Sequence, residues 1–115
     1  MPGSAARLTP LLLLIPLLAA AGARAEDLQF DRRCAWSRAE GPWIEAGHCR
    51  LEGWRDGREL LLTVLWPDGR RSVIETRPAG GEARIDRLPG RFRPAADGSW
   101  LFSLQQGGQL RFELP

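Results

Sequence analysis

The sequence predicts an all-β protein: a small antiparallel meander of about six to seven strands that closes into a barrel or a two-layer sandwich. Turn signals recur about every 8–12 residues after residue 25, which is the spacing of an all-β chain. Within residues 26–115, alternation of apolar and polar residues with a period of two is present, and an apolar stripe with the 3.6-residue period of a helix is not. One disulfide bond completes the predicted fold.

Residues 1–25 have the features of a secretory signal peptide. Arg7 supplies a positive charge ahead of the apolar residues 11–21, and Ala23 and Ala25 are the small residues that a signal peptidase recognises. The apolar run is shorter than the roughly 20 residues of a membrane span. We therefore expect a cleaved leader, a single β domain over residues 26–115, a periplasmic or secreted location, and no stable membrane insertion after cleavage.

The composition indicates a GC-rich bacterial genome, because Lys, Asn and Tyr, which have AT-rich codons, are absent. Two of the sixteen arginines, Arg7 and Arg24, leave with the signal peptide, so fourteen remain against fourteen acidic residues. The mature chain thus has no net charge. Nucleic-acid-binding proteins normally carry a clustered basic excess, and we expect no nucleic-acid partner.

Cys34 and Cys49 are the only cysteines and can pair in one way within the monomer. A small domain in an oxidising compartment benefits from such a link, for which the chain-entropy model gives about 3 kcal/mol. The fourteen residues between them do not match the short spacing of redox-active pairs. We expect a structural disulfide.

The expected strands follow the apolar or alternating runs. In chain order these are residues 26–34, 48–54, 59–66, 71–77, 83–88, 100–105 and 109–114. The first is a short edge strand or an ordered arm. The most hydrophobic run, 59–66 (ELLLTVLW), predicts a central strand covered on both faces, placed between its sequence neighbours by Asp-Gly turns at 56–57 and 68–69.

Two further segments complete the predicted elements. Residues 89–99 hold two prolines and two glycines and predict the longest irregular stretch. The last two runs alternate most clearly and predict half-buried antiparallel strands. Their inward positions would be Trp100, Phe102, Leu104, Leu110, Phe112 and Leu114.

Catalytic chemistry has little support in the sequence. His48 and Cys49 are adjacent, so on a strand their side chains point to opposite faces and the imidazole does not activate the thiol. One histidine and two cysteines fall short of the four ligands of a structural zinc site. Carboxylate pairs such as Glu40 with Glu45 lack a supporting pattern. We expect no enzymatic activity, no metal and no cofactor.

The segment between the cysteines is the first candidate binding surface, because it carries Trp36 and Trp43. The two rings either fold back as a lid over the core or remain partly exposed. An exposed ring on a loop held by a disulfide could stack on a sugar or anchor a protein interface, with little entropy lost on binding.

A second candidate surface is rich in arginine and comprises Arg84, Arg91, Phe92 and Arg93. Guanidinium groups bind carboxylates and phosphates through two parallel hydrogen bonds. The alternative is a solvated surface in a chain that contains arginine but no lysine.

These observations favour a non-catalytic binding module, secreted or periplasmic, that acts on an envelope protein or glycan through the disulfide-bounded Trp loop. The alternative is a small barrel that carries an apolar small molecule. That alternative ranks lower because so short a chain has too few residues to line both a packed core and a large cavity.

Overall fold

Eight antiparallel strands form a closed barrel in the part of the chain that the structure, a computed structural model, describes, residues 25–115. The expected signal peptide lies outside this part apart from Ala25. In order, the strands are β1 Glu26–Ser37, β2 Ile44–Arg55, β3 Leu60–Leu65, β4 Arg71–Thr76, β5 Gly81–Ile85, β6 Leu88–Pro94, β7 Trp100–Leu104 and β8 Gln109–Glu113. Each pairs with its sequence neighbours, and β1 pairs with β8. No helix over residues 25–115 has the length and apolarity of a membrane span.

The predicted all-β class and the barrel are confirmed, with more strands than expected. Residues 26–34, expected as an edge strand or arm, belong to the long β1. The last five residues of this strand, 33–37, pair with β8 and close the barrel, whereas residues 26–32 have register partners on β2 alone. The prediction that residues 89–99 are irregular is wrong for residues 89–94. These residues belong to β6, which pairs with both β5 and β7 despite its two prolines, Pro89 and Pro94.

The aromatic core lies at the centre of the barrel. Phe92 and Phe102 are register partners on β6 and β7, and their rings stack with centroids 4.5 Å apart. Phe112 meets Phe102 edge to face at 5.8 Å. All three side chains are buried, as the alternation in the last two strands predicted for Phe102 and Phe112. Leu114 lies beyond the end of β8 and is exposed.

The prediction that residues 59–66 are covered on both faces is wrong for this chain alone. Leu60, Leu62 and Val64 on β3 point into the core and are buried. The alternate positions of β3 point outward and are only partly buried. A barrel has one interior, and none of the described residues packs as a second layer on this wall.

The predicted disulfide between Cys34 and Cys49 is confirmed, with the two Cα atoms 5.8 Å apart. It joins the neighbouring strands β1 and β2, and both side chains belong to the buried core. The bond therefore fastens the first hairpin from inside the barrel.

An aspartate stabilises each of three turns between strands: Asp56 between β2 and β3, Asp68 between β3 and β4, and Asp97 between β6 and β7. In each, a carboxylate oxygen accepts the backbone N–H of the residue two positions later, at 2.7, 3.0 and 2.9 Å. These backbone N–H groups are the main cause of the lowered pKa of Asp56 and Asp68. The hydroxyl of Ser99 is the larger cause of the lowered pKa of Asp97, and the backbone N–H of Ser99 is the second.

A pKa that is lower in the folded than in the unfolded chain makes these turns sensitive to acid. Their contribution is fully present well above the ordinary carboxyl pKa of 3.8 and is lost as pH falls below it through the lowered folded values. We expect the triple variant Asp56→Asn/Asp68→Asn/Asp97→Asn, which keeps an acceptor oxygen, to lose stability less steeply than the wild type between about pH 5 and pH 2. Urea unfolding across this range measures the two slopes, and equal slopes would contradict the expectation.

Candidate functional site

The disulfide-bounded segment is mostly strand. Only residues 38–43 lie between β1 and β2, where the backbone N–H of Gly41 donates to the carbonyl of Arg38 at 2.9 Å. Glu40 adopts a positive φ of 58° in this turn. Trp36 therefore lies on β1 and Trp43 in the loop, so the two rings that the sequence placed in one loop have different surroundings.

Trp36 closes one end of the barrel. It faces inward, is partly buried, and packs against the core. The guanidinium carbon of Arg70, from the β3–β4 turn, lies 5.8 Å from the centre of its ring. Trp36 thus matches the lid alternative of the sequence interpretation.

Trp43 matches the exposed alternative, since 36% of its surface is accessible. The guanidinium carbon of Arg111 on β8 lies over this ring, 4.5 Å from its centroid. Arg111 Nη2 donates a hydrogen bond of 2.6 Å to Glu45 Oε2. Its Nε lies 2.7 Å from Glu113 Oε1, without the alignment of a hydrogen bond. We call these four side chains, Trp43, Arg111, Glu45 and Glu113, the Trp43 platform.

The closure of β1 against β8 builds the platform. Arg111 is the register partner of Ala35, and Ala35 is the partner of Glu45, so the three side chains lie side by side on the outer face. The small Ala35 leaves room for the long Arg111 side chain to cross β1. Glu113 also accepts a hydrogen bond of 3.0 Å from Arg33. Exposed ion pairs contribute little stability, but a shared carboxylate limits where the guanidinium can lie.

The arginine-rich surface expected from the sequence lacks its aromatic member, while Arg84, Arg91 and Arg93 are all exposed on the neighbouring strands β5 and β6. Phe92 is only 1% exposed and lies inside the barrel, so its placement on a surface was wrong. Arg84 is opposite Pro89 in the register, whereas Arg91 and Arg93 are opposite residues of β7 on different rows of the outer wall. The sequence Arg-Phe-Arg is the alternation of a strand, and its guanidinium groups flank an inward ring.

A cleft near Trp54 was missed by the sequence interpretation. It has a volume of about 720 Å³ and opens where β4 and β5 diverge, since these strands pair only at two positions. Trp54, Leu61 and Glu75 are among its lining residues and are consecutive partners across β2, β3 and β4. The signal was present, because Trp54 holds an outward position in the alternating run 48–54.

Arg32 is an inward-facing cation near the end of the barrel opposite to Trp36. Its guanidinium carbon lies 5.0 Å from the centre of Phe30 and 5.1 Å from that of Trp100, and Nη1 donates to the carbonyl of Gly98 at 3.2 Å. Burial lowers the pKa of Arg32. The two rings and the carbonyl account for an arginine at a position where the alternation calls for an apolar residue.

His48 and Cys49 lie on opposite faces of β2, with His48 exposed and Cys49 buried in the disulfide. Over residues 25–115 no group of three or more His, Cys, Asp or Glu side chains is placed to hold a metal ion. The Trp43 platform offers a stacking surface with hydrogen-bond donors and acceptors at its border.

This chain matches no protein-family model, no curated protein and no solved structure.

Proposed function

We propose that this protein is a non-catalytic binding module of the bacterial envelope that holds a glycan on the Trp43 platform. The observation that carries this proposal is the exposed Trp43 ring, backed by the Arg111 guanidinium, which Glu45 and Glu113 hold in place. Such a ring is oriented before a ligand arrives, so little side-chain entropy is lost on binding.

The chemistry of the platform suits a sugar. One face of a pyranose ring is apolar and packs on an indole, whose own face is apolar and flat. The hydroxyl groups around the sugar can donate to the carboxylates of Glu45 and Glu113 and accept from the guanidinium of Arg111. An aromatic floor with a few convergent polar groups is the usual composition of a ligand site.

An envelope protein is the second partner class for this surface. A protein interface of this kind normally centres on a well-packed pocket that encloses an aromatic anchor. Trp43 lies instead on an open surface, which favours the glycan. The leader sequence and the confirmed disulfide support an oxidising extracytoplasmic compartment as the place where binding occurs.

The apolar carrier has less support than the binding module. The centre of the barrel is filled by large buried side chains, which are Phe92, Phe102, Phe112, Leu51, Leu62, Ile74 and Val64. A lipophilic ligand would have to displace this packed core, at a cost similar to that of overpacking it.

We expect the oxidised protein to pellet with purified insoluble cell-wall sacculi, and Trp43→Ala to weaken this binding at least about tenfold, which corresponds to 1.4 kcal/mol. The reason is the loss of the stacking surface. Leu88→Ala is the matched control, because Leu88 is similarly exposed at 39% and lies outside the platform. Circular dichroism and thermal unfolding establish that both variants are folded.

The result would contradict the glycan proposal if the wild type did not pellet, or if Trp43→Ala and Leu88→Ala bound equally. Soluble N-acetylhexosamine oligomers, added as competitors, separate sugar recognition from binding to the peptide part of the sacculus. Trp43-dependent binding that these oligomers fail to displace would point to a protein or peptide ligand instead.

A further inference from the structure

The outer side of β3 is apolar and open. Leu61, Thr63 and Leu65 point outward and are only partly buried. They have apolar neighbours on both sides, Trp54 on β2 and Val73 on β4, and Val73 is 40% exposed. A continuous apolar run is typical of a strand buried on both faces, yet the described chain covers only one. A contiguous exposed apolar surface marks an interaction site.

The residues around β3 form three rows across the sheet, as the register shows. The rows are Arg50–Leu65–Arg71, Glu52–Thr63–Val73 and Trp54–Leu61–Glu75. We call these nine outward residues the β3 face. The first row is basic at both ends, whereas the third carries a carboxylate and an indole. The first and third rows are therefore complementary, because a guanidinium group can pair with a carboxylate or stack on an indole.

We propose that the β3 face binds the β3 face of a second copy of this chain, with the strands of the two copies antiparallel. A two-fold axis along the middle row places the first row of each copy on the third row of its partner. Leu65 of one copy then packs on Leu61 of the other copy, and Arg71 of one copy pairs with Glu75 of the other copy. Each of these contacts occurs twice, because the interface is symmetric.

The charges that remain free in one copy support this arrangement. Arg71 and Glu75 are both exposed, and neither forms an ion pair within residues 25–115, although they lie on the same strand. In the dimer, Arg50 of one copy meets the indole of Trp54 of the other copy, on which a guanidinium stacks favourably. Glu52 of one copy faces Glu52 of the other copy across the axis. Each carboxylate accepts a hydrogen bond from Gln29 and lies near Arg50 of its own chain, which reduces the repulsion between the two carboxylates.

The shape of the face is also complementary to itself. The third row lines the cleft of about 720 Å³ and is concave. The first row lies outside that cleft and carries long side chains, Arg50, Leu65 and Arg71, which can enter the cleft of the partner. A zero net charge of the mature chain, fourteen arginines against fourteen acids, removes overall repulsion between copies.

The dimer goes beyond the proposed glycan binding and does not depend on it. The β3 face shares no residue with the Trp43 platform, so both platforms remain accessible. Two platforms on one particle would bind a polymeric ligand with higher avidity than either alone.

Sedimentation equilibrium of the oxidised protein tests the proposal. We expect twice the mass of the monomer for the wild type, and self-association at least about tenfold weaker for Arg71→Glu and for Glu75→Arg, because each creates like-charge contacts. An equimolar mixture of the two variants should dimerise again, since each chain then offers the charge that the other needs. The double variant Arg71→Glu/Glu75→Arg should also dimerise.

Arg91→Glu is the matched control, an exposed arginine of β6 outside the β3 face that should leave the dimer intact. A wild type that sediments as a monomer at millimolar concentration would overturn the proposal. Dimers that persist in both single variants, or a mixture that stays monomeric, would also overturn it. Recovery in the mixture shows that both variants are folded, since an unfolded chain could not restore the partner.

Discussion

Phe102→Ala should lower the free energy of unfolding by about 3–5 kcal/mol, the largest loss expected from a single substitution in this chain. Phe102 is fully buried, stacks on Phe92 at 4.5 Å and meets Phe112 edge to face. Alanine would leave a cavity in contact with both remaining rings. Native domains are stable by only about 5–15 kcal/mol, so the variant would lose a large fraction of its stability.

Urea unfolding followed by circular dichroism measures this loss. The control is Leu114→Ala, which removes an apolar side chain that is 52% exposed and should change stability by no more than about 0.5 kcal/mol. Losses of similar size in the two variants would show that the aromatic stack does not dominate the core.

Cys34→Ala/Cys49→Ala should lower the free energy of unfolding by about 2–5 kcal/mol. The bond limits the unfolded chain, and both side chains are part of the core that they help to fill. Alanine is preferred to serine because a buried hydroxyl without a partner would add a cost of its own. The wild type unfolded in the presence of excess reductant should show a similar loss.

The midpoint of urea unfolding for the oxidised wild type, the reduced wild type and the double variant gives the comparison. An oxidised protein no more stable than the double variant would show that strain in the folded barrel offsets the entropic gain. Binding to sacculi should also weaken in the double variant, because the disulfide joins the two strands that carry the loop with Trp43.

The fold class follows from local signals, namely the Asp-Gly turns and the alternation in the last two strands. The closing strand could not be recognised in this way. Its inward positions include Arg32, and an arginine there gives residues 26–34 the polar composition of an arm. Only the tertiary fold shows that Phe30 and Trp100 lie beside its guanidinium. Strand β6 was obscured by Pro89 and Pro94, which normally interrupt a sheet.

The candidate site was predictable in part. The sequence named Trp43 and left open whether its ring is exposed. It could not name Arg111, which is distant along the chain and reaches Trp43 only because β1 pairs with β8. The strand register places the Trp36 side chain inside the barrel, whereas Trp43 lies in the loop between β1 and β2 and is exposed. Phe92 was assigned to a surface because its arginine neighbours were read as a cluster rather than as alternate positions of a strand.

The position of the disulfide makes its redox chemistry a measure of barrel opening. A reductant exchanges with a disulfide only when its thiolate reaches a sulfur atom, and Cys34 and Cys49 are almost fully enclosed. At high reductant concentration the cleavage rate should therefore stop rising and equal the rate at which β1 separates from its neighbours. By the same reasoning, the oxidant that makes the bond must act while the first hairpin is still accessible, before β8 docks on β1.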